Sequence, residues 1–132
     1  MEGRALTLEL VEGGYAVVRL GPGDPVPAWG QGGPFVSVTR TDTELSIVCL
    51  DEAVPAPAAA ERGWRCLRVR GPLGFGMTGI LASLAAPLAS SGVSIFVVST
   101  YDTDYLMVQG RDLERAKDAL SRAGHTVETA RP

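Results

Sequence analysis

The pattern of apolar and polar positions divides this chain before any single motif is weighed. Leu6, Leu8 and Leu10 alternate with polar residues, Gly13-Gly14 reads as a turn, and Tyr15–Leu20 reads as a returning strand. A stiff Gly21–Pro27 loop follows, leaving at most a helical turn around Ala28-Trp29. Phe35–Val38 and Leu45–Val48 flank a polar turn, which is a hairpin signal. Pro55–Glu61 is too broken by proline for a long helix and reads as a linker or a single helical turn, with a boundary near Glu61–Gly63.

From Trp64 onward the signals are stronger. Trp64–Arg70 alternates apolar residues with Arg, as a strand with one wet face does, and a glycine-rich loop follows it. From Gly79 to about Ser90, Ile80, Leu81, Leu84 and Leu88 recur at helical spacing, and Pro87 removes the backbone bond to Ser83. That predicts a bend in the last turn. Val93–Val98 and Tyr105–Val108 form a second hairpin. A helix opens with Asp112 as N-cap, turns Leu113, Ala116 and Leu120 inward, pairs Asp118 with Arg122 and stops at Gly124. His125–Glu128 supplies a last short strand. The order βαββαβ predicts an α+β, ferredoxin-like unit: a four-stranded antiparallel sheet with both helices on one face.

The two hairpins repeat each other. A shift of sixty residues places Phe35–Val48 on Ile95–Val108, with the Asp-Thr pairs 42-43 and 102-103 in register. The chain is therefore expected to hold two units of one fold, a reduced one over residues 1–62 and a full one over 63–132. Turn chemistry alone also makes such hairpins alike.

Composition narrows the function. The 132 residues are 45% hydrophobic and 20% charged, which predicts a folded, soluble protein rather than a disordered one. A net charge of −3 argues against a nucleic-acid surface. Residues 71–101 carry no charge, the signature of a membrane span, but Pro87 and Ser90-Ser91-Gly92 split the run into a helical and a strand-like piece. The N-terminus shows no secretory pattern, so a cytoplasmic protein without membrane contact is expected. One His and two cysteines, Cys49 and Cys66, form neither a four-ligand zinc site nor a His-based triad, and buried thiols are the expected reading. Arg65 and Arg68 beside Cys66 leave a reactive thiol as the lesser alternative. Gly74–Gly79 lacks the glycine spacing of a dinucleotide loop. No metal, cofactor or catalytic residue is implied, and no enzyme activity is expected.

The run Gly71-Pro-Leu-Gly-Phe-Gly-Met-Thr-Gly-Ile-Leu-Ala-Ser-Leu-Ala-Ala-Pro-Leu-Ala, with Gly92–Val108 and its Ser-Thr-Tyr-Asp-Thr-Asp-Tyr core, resembles the ACT domain. The resemblance is to the subfamily of small tandem bacterial proteins, which is similar to aspartokinase regulatory regions and to the Castor-type arginine sensors of animals. Phe35–Cys49 matches its first-unit hairpin, and residues 1–34 match loosely. The resemblance implies a non-catalytic regulatory protein, a homodimer or a partner of a regulated enzyme, with an amino-acid effector at the interface between units. Carried onto this chain, the ligand-binding positions are Leu73, Gly74, Phe75, Gly76, Met77, Thr78, Gly79 and Ile80, faced by Ser99, Thr100, Tyr101, Asp102 and Asp104.

The residues themselves are compatible with that role. Glycines let backbone N–H groups approach a carboxylate, and a following helix favours an anion. Thr78 caps the helix or bonds a ligand, while Asp102 and Asp104 suit an ammonium. Met77 in place of an acidic residue does not favour arginine. The same glycines also serve a tight turn and the same aspartates a hairpin tip, so two readings stand: an amino-acid sensor, or an assembly module that pairs through its sheets without a ligand.

Overall fold

The first strand does not turn at Gly13-Gly14. In the computed structural model, which describes residues 5–71 and 79–129, β1 runs unbroken over Thr7–Leu20. Gly13 takes φ +100° inside it, a conformation that side chains with a Cβ rarely adopt. The glycine pair lies inside a continuous strand. The other elements are β2 (Ser37–Arg40), β3 (Leu45–Leu50), β4 (Ala60–Val69), α1 (Ile80–Ser90), β5 (Ile95–Ser99), β6 (Asp104–Gln109), α2 (Leu113–Arg122) and β7 (Thr126–Glu128). Two compact units result: Glu12–Trp64, and Met1–Val11 with Arg65–Pro132. Both β1 and β4 contribute a part to each, so residues 5–11 group with the C-terminal part rather than with 12–64.

In the larger unit the strand order is β7-β1-β4-β6-β5. β5 and β6 are antiparallel from Ile95 opposite Val108 to Ser99 opposite Asp104. Arg70 N–H donates to Thr7 O at 2.8 Å, joining β4 to β1. The fold is the expected ferredoxin-like α+β unit, with one addition: the start of β1 enters the sheet beside β4, and β7 pairs with it in parallel, Leu8 opposite Val127. The four antiparallel strands become five because the Leu6-Leu8 alternation has an apolar face to bury. Leu8, Leu67, Val69, Leu84, Leu88, Leu106, Val108 and Leu120 are fully enclosed in one core, so both helices lie on one face of this sheet. Each such side chain contributes about 1.5–3 kcal/mol of burial.

The helices depart from expectation at particular residues. Leu81 is 41% exposed, so α1 buries only Ile80, Leu84 and Leu88. Asp112 stands at the N-cap of α2 without capping it. A 3-10 turn over Gly110–Asp112 already leads into the helix, and the Asp112 carboxylate instead accepts from Arg115 at 2.8 Å. Gly124, at φ +97°, ends the helix as expected, and Asp118 pairs with Arg122 at 3.2 Å.

Pro87 leaves the Ser83 carbonyl without its helical donor. The vacancy is filled by His125, whose Nε2 lies 3.0 Å from Ser83 O, while its Nδ1 accepts the Leu6 N–H at 3.1 Å. The chain's single histidine is buried and bonded at both nitrogens.

The smaller unit has the order β2-β3-β1-β4 and, among its described residues, no α-helix. Its core is Ala16, Val18, Leu45, Ile47, Cys49 and Val54, with Trp29 packed against it from a 3-10 turn at Ala28–Gly30. Glu61–Gly63, near which the boundary between units is expected, lie within β4. Asp51 holds them there, with its carboxylate accepting from Arg62 at 2.6 Å and from Gly63 N–H at 2.9 Å. The hairpins of the two units correspond at a shift of 59, not sixty: Arg40 pairs with Leu45 as Ser99 pairs with Asp104. One residue of register reverses which side chains share a face.

Two predictions follow from the larger unit. His125→Ala leaves a buried N–H and a part-buried C=O without partners, so denaturant unfolding should show a loss of about 1–3 kcal/mol. A loss below about 0.5 kcal/mol, the range of ordinary surface changes, would show that the two bonds contribute nothing. On the same sheet, Glu9 accepts from Arg70 at 3.1 Å and from Arg68 at 2.9 Å, and Arg70 also reaches Glu128. The Arg70 hydrogen bonds, opposed by desolvation and reinforced by Arg68, hold the Glu9 carboxyl below its ordinary value. A lowered carboxylate stabilises the fold above the ordinary glutamate range, about pH 4.3, and that stabilisation is lost as pH falls through the folded value. Thermal melts across that interval should therefore show a smaller acid loss for Glu9→Gln than for the unaltered chain; parallel curves would contradict the assignment.

Candidate functional site

β4 ends at Val69, and Gly79 directly precedes α1. Leu73, Gly74, Phe75, Gly76, Met77 and Thr78 lie outside the described residues. Gly79 occupies the N-cap position of α1 with φ +78°, and its carbonyl accepts from Ser83 N–H at 2.9 Å. The capping position expected for Thr78 therefore belongs to Gly79. Ile80 is buried in the core of the larger unit.

The facing residues sit on one hairpin. Ser99 ends β5 and Asp104 begins β6, opposite one another, and Ser99 Oγ donates to Asp104 Oδ1 at 2.6 Å. Across the turn, Thr100 N–H donates to Thr103 O at 2.8 Å, and Thr103 N–H donates to Thr100 Oγ1 at 3.3 Å. Tyr101 is 83% exposed and Asp102 is exposed beside it. The structure thus brings Ser99 and Asp104 into direct contact and leaves Asp102 and Tyr101 at the tip.

The sequence reading missed Thr103. Its side chain is buried, and its hydroxyl donates to Val69 O at 2.6 Å. The bond ties the hairpin turn to the last residue of β4, two residues before Gly71. A threonine recurring in both Asp-Thr pairs was the available signal, but its partner lies 34 residues away.

Chemistry elsewhere is muted. Burial pushes the Cys66 thiol up to about 12, and burial, then Asp51, raises Cys49 as well, so neither is a thiolate near neutral pH. Among the described residues no three His, Cys, Asp or Glu side chains gather as metal ligands, and no helix is long and apolar enough to cross a membrane.

A family model described as the ACT domain matches residues 59–122, and a second, described as an N-terminal domain, matches residues 13–57. The chain is an ACT-domain protein. The crystal structure of protein Atu0741 from Agobacterium tumefaciens is 43% identical and superposes with a TM-score of 0.92 over 98% of this chain and 97% of that one. The bovine cytosolic arginine sensor for mTORC1 subunit 1 is 33% identical over 99 residues, which are 67% of this chain and 30% of that protein. Aspartate kinase from Synechocystis, at 18% identity, shares the fold with a TM-score of 0.69 over 97% of this chain and 28% of that one. This ACT chain spans only part of the curated relatives it matches, from 61% of one human protein down to 18% of others.

The Thr103 bond is directly testable. Thr103→Val keeps the shape and strands the Val69 carbonyl, so unfolding should register a loss of about 1–2 kcal/mol, whereas Thr103→Ser should restore most of it. Equal losses for both variants would show that the methyl, not the hydroxyl, matters.

Proposed function

We propose that this ACT protein is a non-catalytic, cytoplasmic regulator that binds an amino acid between the loop 73–79 and the facing residues Ser99, Thr100, Tyr101, Asp102 and Asp104, with Ile80 as support from the core. The observation that carries the reading is the Thr103–Val69 bond, which holds the hairpin turn beside the end of the strand that leads to the glycine-rich loop. Backbone amides of that loop suit the ligand carboxylate, and Asp104, oriented by Ser99, suits its ammonium. The bovine relative's name records an arginine sensor; here Met77 stands in a loop without acidic residues, which favours an aliphatic, aromatic or small polar amino acid over arginine.

A second reading has its own observation. β5 ends the sheet of the larger unit, and its residues Ile95–Val98 are uncharged and only half-buried. An edge without charged guards invites another strand. On this reading the protein is an assembly module that forms a homodimer, or docks on a regulated enzyme, through that edge without a ligand.

Differential scanning fluorimetry of the full chain against the common amino acids separates the two. A sensor gains stability from its ligand, by about 2.7 kcal/mol at about a hundred times Kd, and Asp104→Ala should weaken that binding by about 2 kcal/mol. A flat panel at millimolar ligand overturns the sensor reading. Light scattering that shows a monomer at high protein concentration overturns the homodimer form of the assembly reading.

A further inference from the structure

The smaller unit carries a depression that neither reading uses. It holds about 310 Å³ and lies against β1, β3 and the start of β4, within the lower range of volumes that bind small molecules. Its origin is side-chain size. Arg19 pairs across the ladder with Ser46, and its backbone N–H donates to Ala59 O at 3.0 Å, so two short side chains flank a long one. Val17 adds an apolar wall.

The rim is charged on both sides. Arg19 makes two long contacts, to Glu44 Oε1 and to Thr43 O, each at 3.3 Å, and its side chain is 61% exposed. A guanidinium has five donors, so most remain open to a second carboxylate. Glu61 lines the depression from β4 and is exposed, and its carboxylate makes no side-chain hydrogen bond or ion pair among the described residues. One positive and two negative groups around a small, partly apolar hollow disfavour a simple anion and match a molecule that carries both charges.

We propose that this depression is a binding subsite for a small zwitterion, with a carboxylate and a primary ammonium on the same carbon and a short side chain. The carboxylate shares Arg19 with Glu44, the ammonium sits by Glu61, and the side chain rests on Val17 and Ala59. The subsite does not depend on the glycine-rich loop.

The test is a titration of the full-length chain with L-alanine followed by amide 1H–15N spectra, with propionate and ethylamine as single-charge controls. Saturable shifts are expected at Val17, Arg19, Ser46, Ala59 and Glu61, larger than with either control. Arg19→Gln and Glu61→Gln should each raise the apparent Kd about fivefold, the effect of losing one exposed charged contact. Both positions are exposed, and unchanged spectra elsewhere would establish that the variants fold. Shifts that do not saturate, an equal response to either control, or an unchanged Kd in both variants would overturn the proposal. Shifts confined to residues 99–104 would place the ligand at the hairpin site and reject this one.

Discussion

The larger unit depends on one imidazole. Pro87 cannot donate to Ser83 O, and Leu6 N–H stands at the buried start of β1 without a ladder partner of its own. His125 meets both needs. Nδ1 accepts from Leu6, so the ring proton belongs on Nε2, where it is donated to Ser83. A rigid ring with an acceptor on one side and a donor on the other satisfies two groups from different elements at once. Thr126 N–H then donates to Leu6 O at 2.9 Å, which starts the parallel pairing of β7 with β1. The helix interruption, the added strand and the closing strand thus share one junction, and a buried polar junction of this kind is strong only when every member is bonded. It also commits the chain's single histidine to structure.

The same economy appears in the hairpins. In each unit a threonine opens the turn, at 41 and 100, and its backbone N–H and hydroxyl bond the residue three positions on. What differs is that fourth residue. In the smaller unit it is Glu44, exposed and paired with Arg19 on β1. In the larger unit it is Thr103, buried and bonded to Val69 on β4. One turn, with its last residue exchanged, produces a charged rim in one case and a neutral pin in the other. The candidate zwitterion subsite and the candidate ligand hairpin are variants of one device.

This explains what was legible in the amino-acid pattern and what was not. Period-two and helical repeats located β4, α1, α2, both hairpins and the ferredoxin-like order, because burial of one face imposes those periods. Gly13-Gly14 misled because a glycine pair fits a turn and the inside of a continuous strand equally. Leu81 misled because three apolar residues already fill the α1 seam. The shift of sixty followed the Asp-Thr identities, whereas the ladder follows backbone bonds and sets the shift at 59. Of the candidate site, the hairpin positions were legible as a polar turn between apolar strands. Thr103 was not, because a hydroxyl–carbonyl bond between residues 34 apart leaves no periodic trace.

The uncharged run from 71 to 101 is the remaining constraint. Its helical part has to bury Ile80, Leu84 and Leu88, yet Leu81, Ala82 and Ala85–Ala86 gain nothing from lacking charge on that account. In β5, Ile95 and Val97 pack on the core, which leaves Phe96 and Val98 on the other face of the strand, half-buried and uncharged as well. The opposite case is β2, at the edge of the smaller unit, where Val38, Thr39 and Arg40 are exposed and the strand ends on a charge. Edges are ordinarily guarded as β2 is. Core packing accounts for half of the β5 side chains and does not require the other half to be apolar. On the proposed assembly reading, pairing along that edge would cover the remaining apolar side chains, in the strand that ends at Ser99, whose hydroxyl bonds Asp104. A ligand held at that hairpin would touch Ser99 and Asp104, the residues at which β5 ends and β6 begins.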